Sequence, residues 1–105
     1  MHFSRLFKVK EGKIDRVREW MSTLGTSRRD EAVSTFEYEN VTREVVVLFK
    51  TSDDDYFLIG FNEANEPYRT GDPSVSINQE HSAFKKECLE PVSEKGEVLL
   101  DLKLS

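Results

Sequence analysis

An α+β domain with the element order β-α-(α)-β-β-α-β is what this sequence predicts, and three observations predict it. The early stretch "KIDRVREWMSTL" carries Ile14, Val17, Trp20, Met21 and Leu24, a spacing that paints one stripe on a helix. Two apolar runs, "VVVLF" and "YFLIGF", are parted by the acidic turn "SDDD" and read as a hairpin. The late stretch "SINQEHSAFKKECL" returns to helical spacing before the alternating run "GEVLLDLKL".

Taken in order, residues 3–9, "FSRLFKV", read as a first strand that Gly12 ends. The first helix follows over 13–24, with Gly25 as its stop. Residues 27–41, "SRRDEAVSTFEYENV", form a second, shorter helix or a kinked continuation of the first. Ala32, Val33 and Phe36 share its apolar face, and Ser27 caps its start. Strands at 42–51 and 56–64 come next, then a turn-rich loop over 65–76. The helix over 76–89 stops before Pro91, because proline disfavours helix in the residue before it. Ser76 or Asn78 is its expected cap. Residues 96–104 close the chain as a strand with Val98, Leu100, Leu102 and Leu104 on one face. This is the split βαβ, or ferredoxin-like, pattern: a four-stranded antiparallel sheet with its helices on one face. A chain of 105 residues is expected to be one domain, 1–105.

Composition narrows the function classes. The net charge is -5, whereas a phosphate-backbone binder draws its affinity from a basic stripe, so nucleic acid is not an expected partner. Nor is a membrane, since no run approaches the roughly 18 apolar residues of a spanning helix. The opening "MHFSRLFKVK" lacks the apolar centre of a signal peptide, so a cytoplasmic protein is expected. The lone cysteine, Cys88, excludes an internal disulfide and a paired-cysteine site. With only His2 and His81 beside it, no metal site is expected, and no cofactor is implied.

The hairpin strands carry a second message. "VVVLF" and "YFLIGF" do not alternate, as if both faces were buried. Helices in a chain of this length cover one face. The other is then an exposed apolar patch, and a second copy packed sheet against sheet is the simplest cover. The sequence therefore predicts a homodimer through the open sheet face; the competing expectation is a monomer with that face under a long loop.

"VKEGKIDRVREWMSTL", "RRDEAVSTFEYENV", "DDYFLIGFNEA" and "EHSAFKKECL" together resemble an uncharacterised family of short bacterial and archaeal proteins. That family is similar in fold to the dimeric α/β-barrel superfamily, which includes the antibiotic-biosynthesis monooxygenases. Relatives carry Pro-Gly-Lys where this chain has Glu11, Gly12 and Lys13, a change confined to a turn. The histidine of the last helix matches His81. The resemblance implies the ferredoxin-like fold and a barrel-forming dimer, and no established reaction.

His81 is the residue that calls for chemistry. On a helical wheel Ile77, His81, Phe84 and Cys88 fall within about 60° of one another, so His81 sits on the buried face. Burial, and the helix start if Asn78 is the cap, both predict a neutral ring at pH 7. A neutral imidazole facing a cavity is a candidate general base or hydrogen-bond anchor, which makes His81 the candidate catalytic residue. The alternative is a core histidine with both nitrogens satisfied. Cys88 lies about 10 Å further along the helix, too far to be its partner nucleophile. Candidate ligand contacts are Arg5, which alternates with Phe3 and Phe7 and needs an anion if it points inward, Trp20 as pocket wall, and the Tyr56 hydroxyl. Two functions stay open: a dimer with a small-molecule cavity and cofactor-independent enzymatic activity, or a non-catalytic binding or regulatory module in which His81 is structural.

Overall fold

The computed structural model describes residues 1–104. Its elements are β1 (His2–Val9), α1 (Ile14–Gly25), α2 (Arg29–Glu39), β2 (Val41–Lys50), β3 (Tyr56–Ala64), α3 (Ser76–Cys88) and β4 (Leu89–Ser93). The four strands form one sheet in the order β2-β3-β1-β4, every neighbouring pair antiparallel. This is the ferredoxin-like arrangement, an α+β fold.

The helices cover one face. Strand period sorts the side chains: Phe7 and Val9 of β1, Val46 and Leu48 of β2, and Leu58 of β3 point to the helices. There they meet Val17 and Trp20 of α1 and Ile77, Phe84 and Cys88 of α3. Cys88 is fully buried as a small apolar residue, and burial pushes its thiol pKa up. α2 contributes no buried residue, and Val33, expected on its apolar face, is 43% exposed. α1 and α2 are separate helices joined at Thr26–Arg28, and Asn40 in the left-handed region (φ 63°) ends α2.

Three expectations are corrected. The last strand is Leu89–Ser93, not 96–104, and it includes Pro91. Pro91 is tolerated because β4 is an edge strand, where a missing N–H has no neighbour to serve. Residues 96–104 have no strand to lie on. Gly96 donates its N–H to the Ser4 carbonyl oxygen at 2.9 Å, and two residues later the chain passes the start of β1. The caps also differ: α2 begins after Arg28 and α3 after Val75, each without a side-chain cap. Before α3, the Asn78 amide donates to the Asp72 carbonyl (2.9 Å) and the Gln79 amide to that of Pro73 (3.0 Å), tying the entry loop instead. His81 is consequently deeper in the helix than its first turn.

The opposite face of the sheet carries three cross-strand rows: Leu6–Ile59–Val47, Ser4–Phe61–Val45 and Lys8–Phe57–Phe49. Val47 and Phe49 are 41% and 53% exposed.

Candidate functional site

His81 is positioned from two sides. α3 crosses the sheet with Ile77, Phe84 and Cys88 buried, and this fixes His81 between α1 and the strands. The indole of Trp20 then locks the ring: its Nε1–H donates to His81 Nδ1 at 2.9 Å. His81 also stacks on Phe84, with centroids 5.7 Å apart. Arg28, whose guanidinium lies 5.7 Å over the Trp20 ring, pairs with Glu31 of α2 and Glu80 of α3, so the helix corner is pinned beside the histidine.

The Trp20 bond decides the tautomer. Nδ1 accepts, so in the neutral ring the proton is on Nε2. Burial, and secondarily the ammonium of Lys85, lower the pKa of His81 to about 4. The ring is therefore neutral at pH 7, from burial and not from the helix terminus. No protein group bonds Nε2 among the described residues, and no fully buried side-chain nitrogen there lacks a partner, so Nε2–H is open to solvent.

His81 lines a concavity of about 650 Å³ between α3, the 65–75 loop and the sheet. Arg5, Glu44, Asn62, Tyr68, His81 and Lys85 are among its walls. An inner recess of about 70 Å³ continues toward Phe7, Leu58 and Gly60. Gly60 lies between Arg5 and Val46 in register, and a Cβ there would meet nothing within 4 Å, so the floor is empty for want of a side chain.

Charge in this concavity is unbalanced. Among the described residues, neither the Arg5 guanidinium nor the Lys85 ammonium lies within 4.0 Å of a carboxylate. Burial and the Arg5 charge push the Lys85 pKa down, against a weaker pull from Glu44. The Glu44 pKa is raised, by loss of water on its inner side and then by Glu39, although the residue keeps solvent on its outer side. Phe3 and Tyr68 pack against each other at the edge, with centroids 4.8 Å apart.

Of the four residues singled out from sequence, His81 and Arg5 share this concavity. Trp20 is behind His81, 6% exposed, and touches the site through the ring it holds. Tyr56 is elsewhere, lining a separate depression with Lys8, Gly12 and Asp55, under the Arg18 guanidinium. Glu44, Asn62, Tyr68 and Lys85 were not singled out. Lys85 had a signal, since it lies one turn after His81 on the same helix face. Glu44 had one too, being two residues before the inward Val46.

Among the described residues, no cluster of His, Cys, Asp or Glu could hold a metal ion, and no helix is long and apolar enough to cross a membrane. Neither a curated protein nor a solved structure matches the chain. The family of unknown function DUF6176 matches residues 3–104, and the chain belongs to that family.

Proposed function

We propose that this protein is a homodimeric small-molecule-binding domain whose concavity takes a carboxylate-bearing ligand. The observation that carries the reading is the His81 ring, fixed through Nδ1 by Trp20, in a concavity it shares with Arg5 and Lys85, neither of which has a carboxylate within 4.0 Å among the described residues. Arg5 and Lys85 repel each other across the site, and a bound anion relieves that repulsion. A guanidinium fork matches a carboxylate with two parallel hydrogen bonds. Phe3 and Tyr68 offer an apolar wall for the body of the ligand.

In this reading His81 donates a hydrogen bond and does not act as a general base. Its one lone pair is engaged by Trp20, and its pKa of about 4 leaves it a weak base. Glu44, whose carboxyl holds its proton more tightly than usual, is the group suited to proton transfer if the bound molecule reacts. The alternative, a non-catalytic module with a purely structural His81, is favoured by the same Trp20 bond. It differs in one outcome: His81→Ala then lowers stability without changing ligand affinity.

The dimer belongs to this reading. The open face presents Leu6, Ile59 and Val47 in one row, and Val47 and Phe49 are exposed. Burying such rows in a face-to-face sheet contact is what an apolar patch of this kind serves. Residues 1–105 are read as one domain, and the free, buried Cys88 supports a cytoplasmic setting.

Binding is tested with benzoate against benzamide, followed by amide chemical shifts. Benzoate is expected to move Arg5, Gly60, Asn62, His81 and Lys85, and benzamide to bind at least tenfold more weakly, or about 1.4 kcal/mol. Lys85→Ala is expected to remove most of that preference. Equal binding of the two probes, or no shift at these five positions, contradicts the reading.

A further inference from the structure

Lys85 stands at the junction of three hollows. It lines the concavity of about 650 Å³, the inner recess of about 70 Å³ and a third hollow of about 310 Å³ toward Leu89, Pro91 and Glu94. Among the described residues, Arg5 is the other one that lines all three. Lys8, Lys13 and Lys50 each have a carboxylate within 4.0 Å, at 3.8, 3.6 and 3.3 Å. Lys85 has none among the described residues.

A half-buried ammonium near a guanidinium and without a counter-ion is the arrangement in which a lysine gives up its proton. Burial, and then the Arg5 charge, push the Lys85 pKa down, while Glu44 of β2 and Glu94 after β4 pull the other way. Arg5 itself keeps its proton. The two cations therefore divide the work: Arg5 is a permanent anchor for an anion, and Lys85 is the source of a free amine. The recess they share is walled by Phe7, Met21, Val46, Leu58 and Leu89 over the bare floor at Gly60. A space of that size and lining takes a short apolar chain.

We propose that Lys85 is a nucleophile that forms an imine with the carbonyl of a short-chain 2-oxo acid, its carboxylate held by Arg5 and its alkyl end in the recess. The inference rests on the carboxylate-binding reading above and names the ligand class. Lys85 Nζ, as the free amine, adds to the carbonyl carbon, and the C=O π pair moves to oxygen, which takes a proton. The carbinolamine then loses its hydroxyl as water, and the nitrogen sheds its proton as C=N forms. Amine and ketone give imine and water, with no oxidant or reductant. Glu44, which lines the same recess and holds its proton more tightly than usual, is the acid suited to protonate the departing hydroxyl.

The test uses the intact wild-type chain and pyruvate. Sodium cyanoborohydride reduces the imine to a stable secondary amine, and peptide mass mapping locates it. Lys86, exposed on the same helix, is the internal reference, and acetone is the ketone without a carboxylate. Pyruvate is expected to mark Lys85 faster than Lys86 by about tenfold or more. Acetone is expected to show a smaller preference, and benzoate to suppress the marking of Lys85 by pyruvate. Equal marking of the two lysines, or none at Lys85, overturns the imine. If benzoate still shifts Arg5, Gly60, Asn62, His81 and Lys85, the carboxylate reading stands without it. Marking of Lys85 that acetone matches and benzoate leaves untouched overturns the 2-oxo acid and the carboxylate reading together.

Discussion

Phe84→Ala is expected to cost about 3–5 kcal/mol of stability, the range for truncating a large buried aromatic. Phe84 is 1% exposed. It is also the meeting point of the helix layer, with Trp20 at 6.0 Å, His81 at 5.7 Å and the Arg16 guanidinium at 5.9 Å from its ring. A domain of this size holds about 5–15 kcal/mol in total, so the loss removes a large share. Urea titration reads it as a fall in the midpoint at unchanged slope. Val33→Ala, at a residue 43% exposed on α2, serves as the control and is expected to stay within about 0.5 kcal/mol. A loss below about 1 kcal/mol for Phe84→Ala would show that the contact between α1 and α3 is not the centre of the core.

Acidification is the second large effect. An ordinary histidine titrates near 6.5, and His81 in the folded chain near 4. Above 6.5 both states are neutral and His81 adds no pH dependence. Between 6.5 and 4 the unfolded chain takes up a proton that the folded chain refuses, so stability falls as pH falls. The full difference amounts to about 3 kcal/mol, at about 1.36 kcal/mol per pKa unit. The groups facing the ring act in the same range. Lys85 stays charged and helps depress His81, while Glu39 and Glu44, with raised pKa values, favour the folded state as they protonate. The quantity to measure is therefore the difference between wild type and His81→Gln, which keeps an acceptor for the indole. That difference is expected to shift by about 3 kcal/mol from pH 7 to pH 4. A flat difference would mean that the ring titrates alike in both states.

What the sequence showed depended on how local the signal was. The stripe Ile14, Val17, Trp20, Met21 and the runs around Val46 and Ile59 fixed α1 and the hairpin, because helical and strand periods are written in consecutive residues. Pro91 marked the end of α3, which stops at Cys88, but the strand that includes it was not legible, for a topological reason. A proline is forbidden inside a sheet and tolerated at its edge, and only the strand order says which applies. The alternation in 96–104 is genuine strand patterning on a segment that has run past its own sheet. His81 was legible as neutral and as lying on the inward face of its helix, where it is half-buried, though the helix start invoked for it lies elsewhere. The concavity around it was not legible. Arg5, Gly60, Glu44 and Lys85 come from three strands and a helix, and nothing in a linear pattern says that β1 pairs with β3 and sets Arg5 opposite Gly60.

The central claim is that Trp20 fixes His81 with its proton on Nε2. Long-range ¹H–¹⁵N correlation of the imidazole tests it without any ligand. At pH 7 the prediction is a single neutral tautomer with Nε2 protonated and Nδ1 bare, persisting on acidification until about pH 4. In Trp20→Phe, which removes the donor to Nδ1, the ring is expected to titrate at higher pH. A proton on Nδ1, a mixture of tautomers, or titration near 6.5 in the wild type would contradict the account.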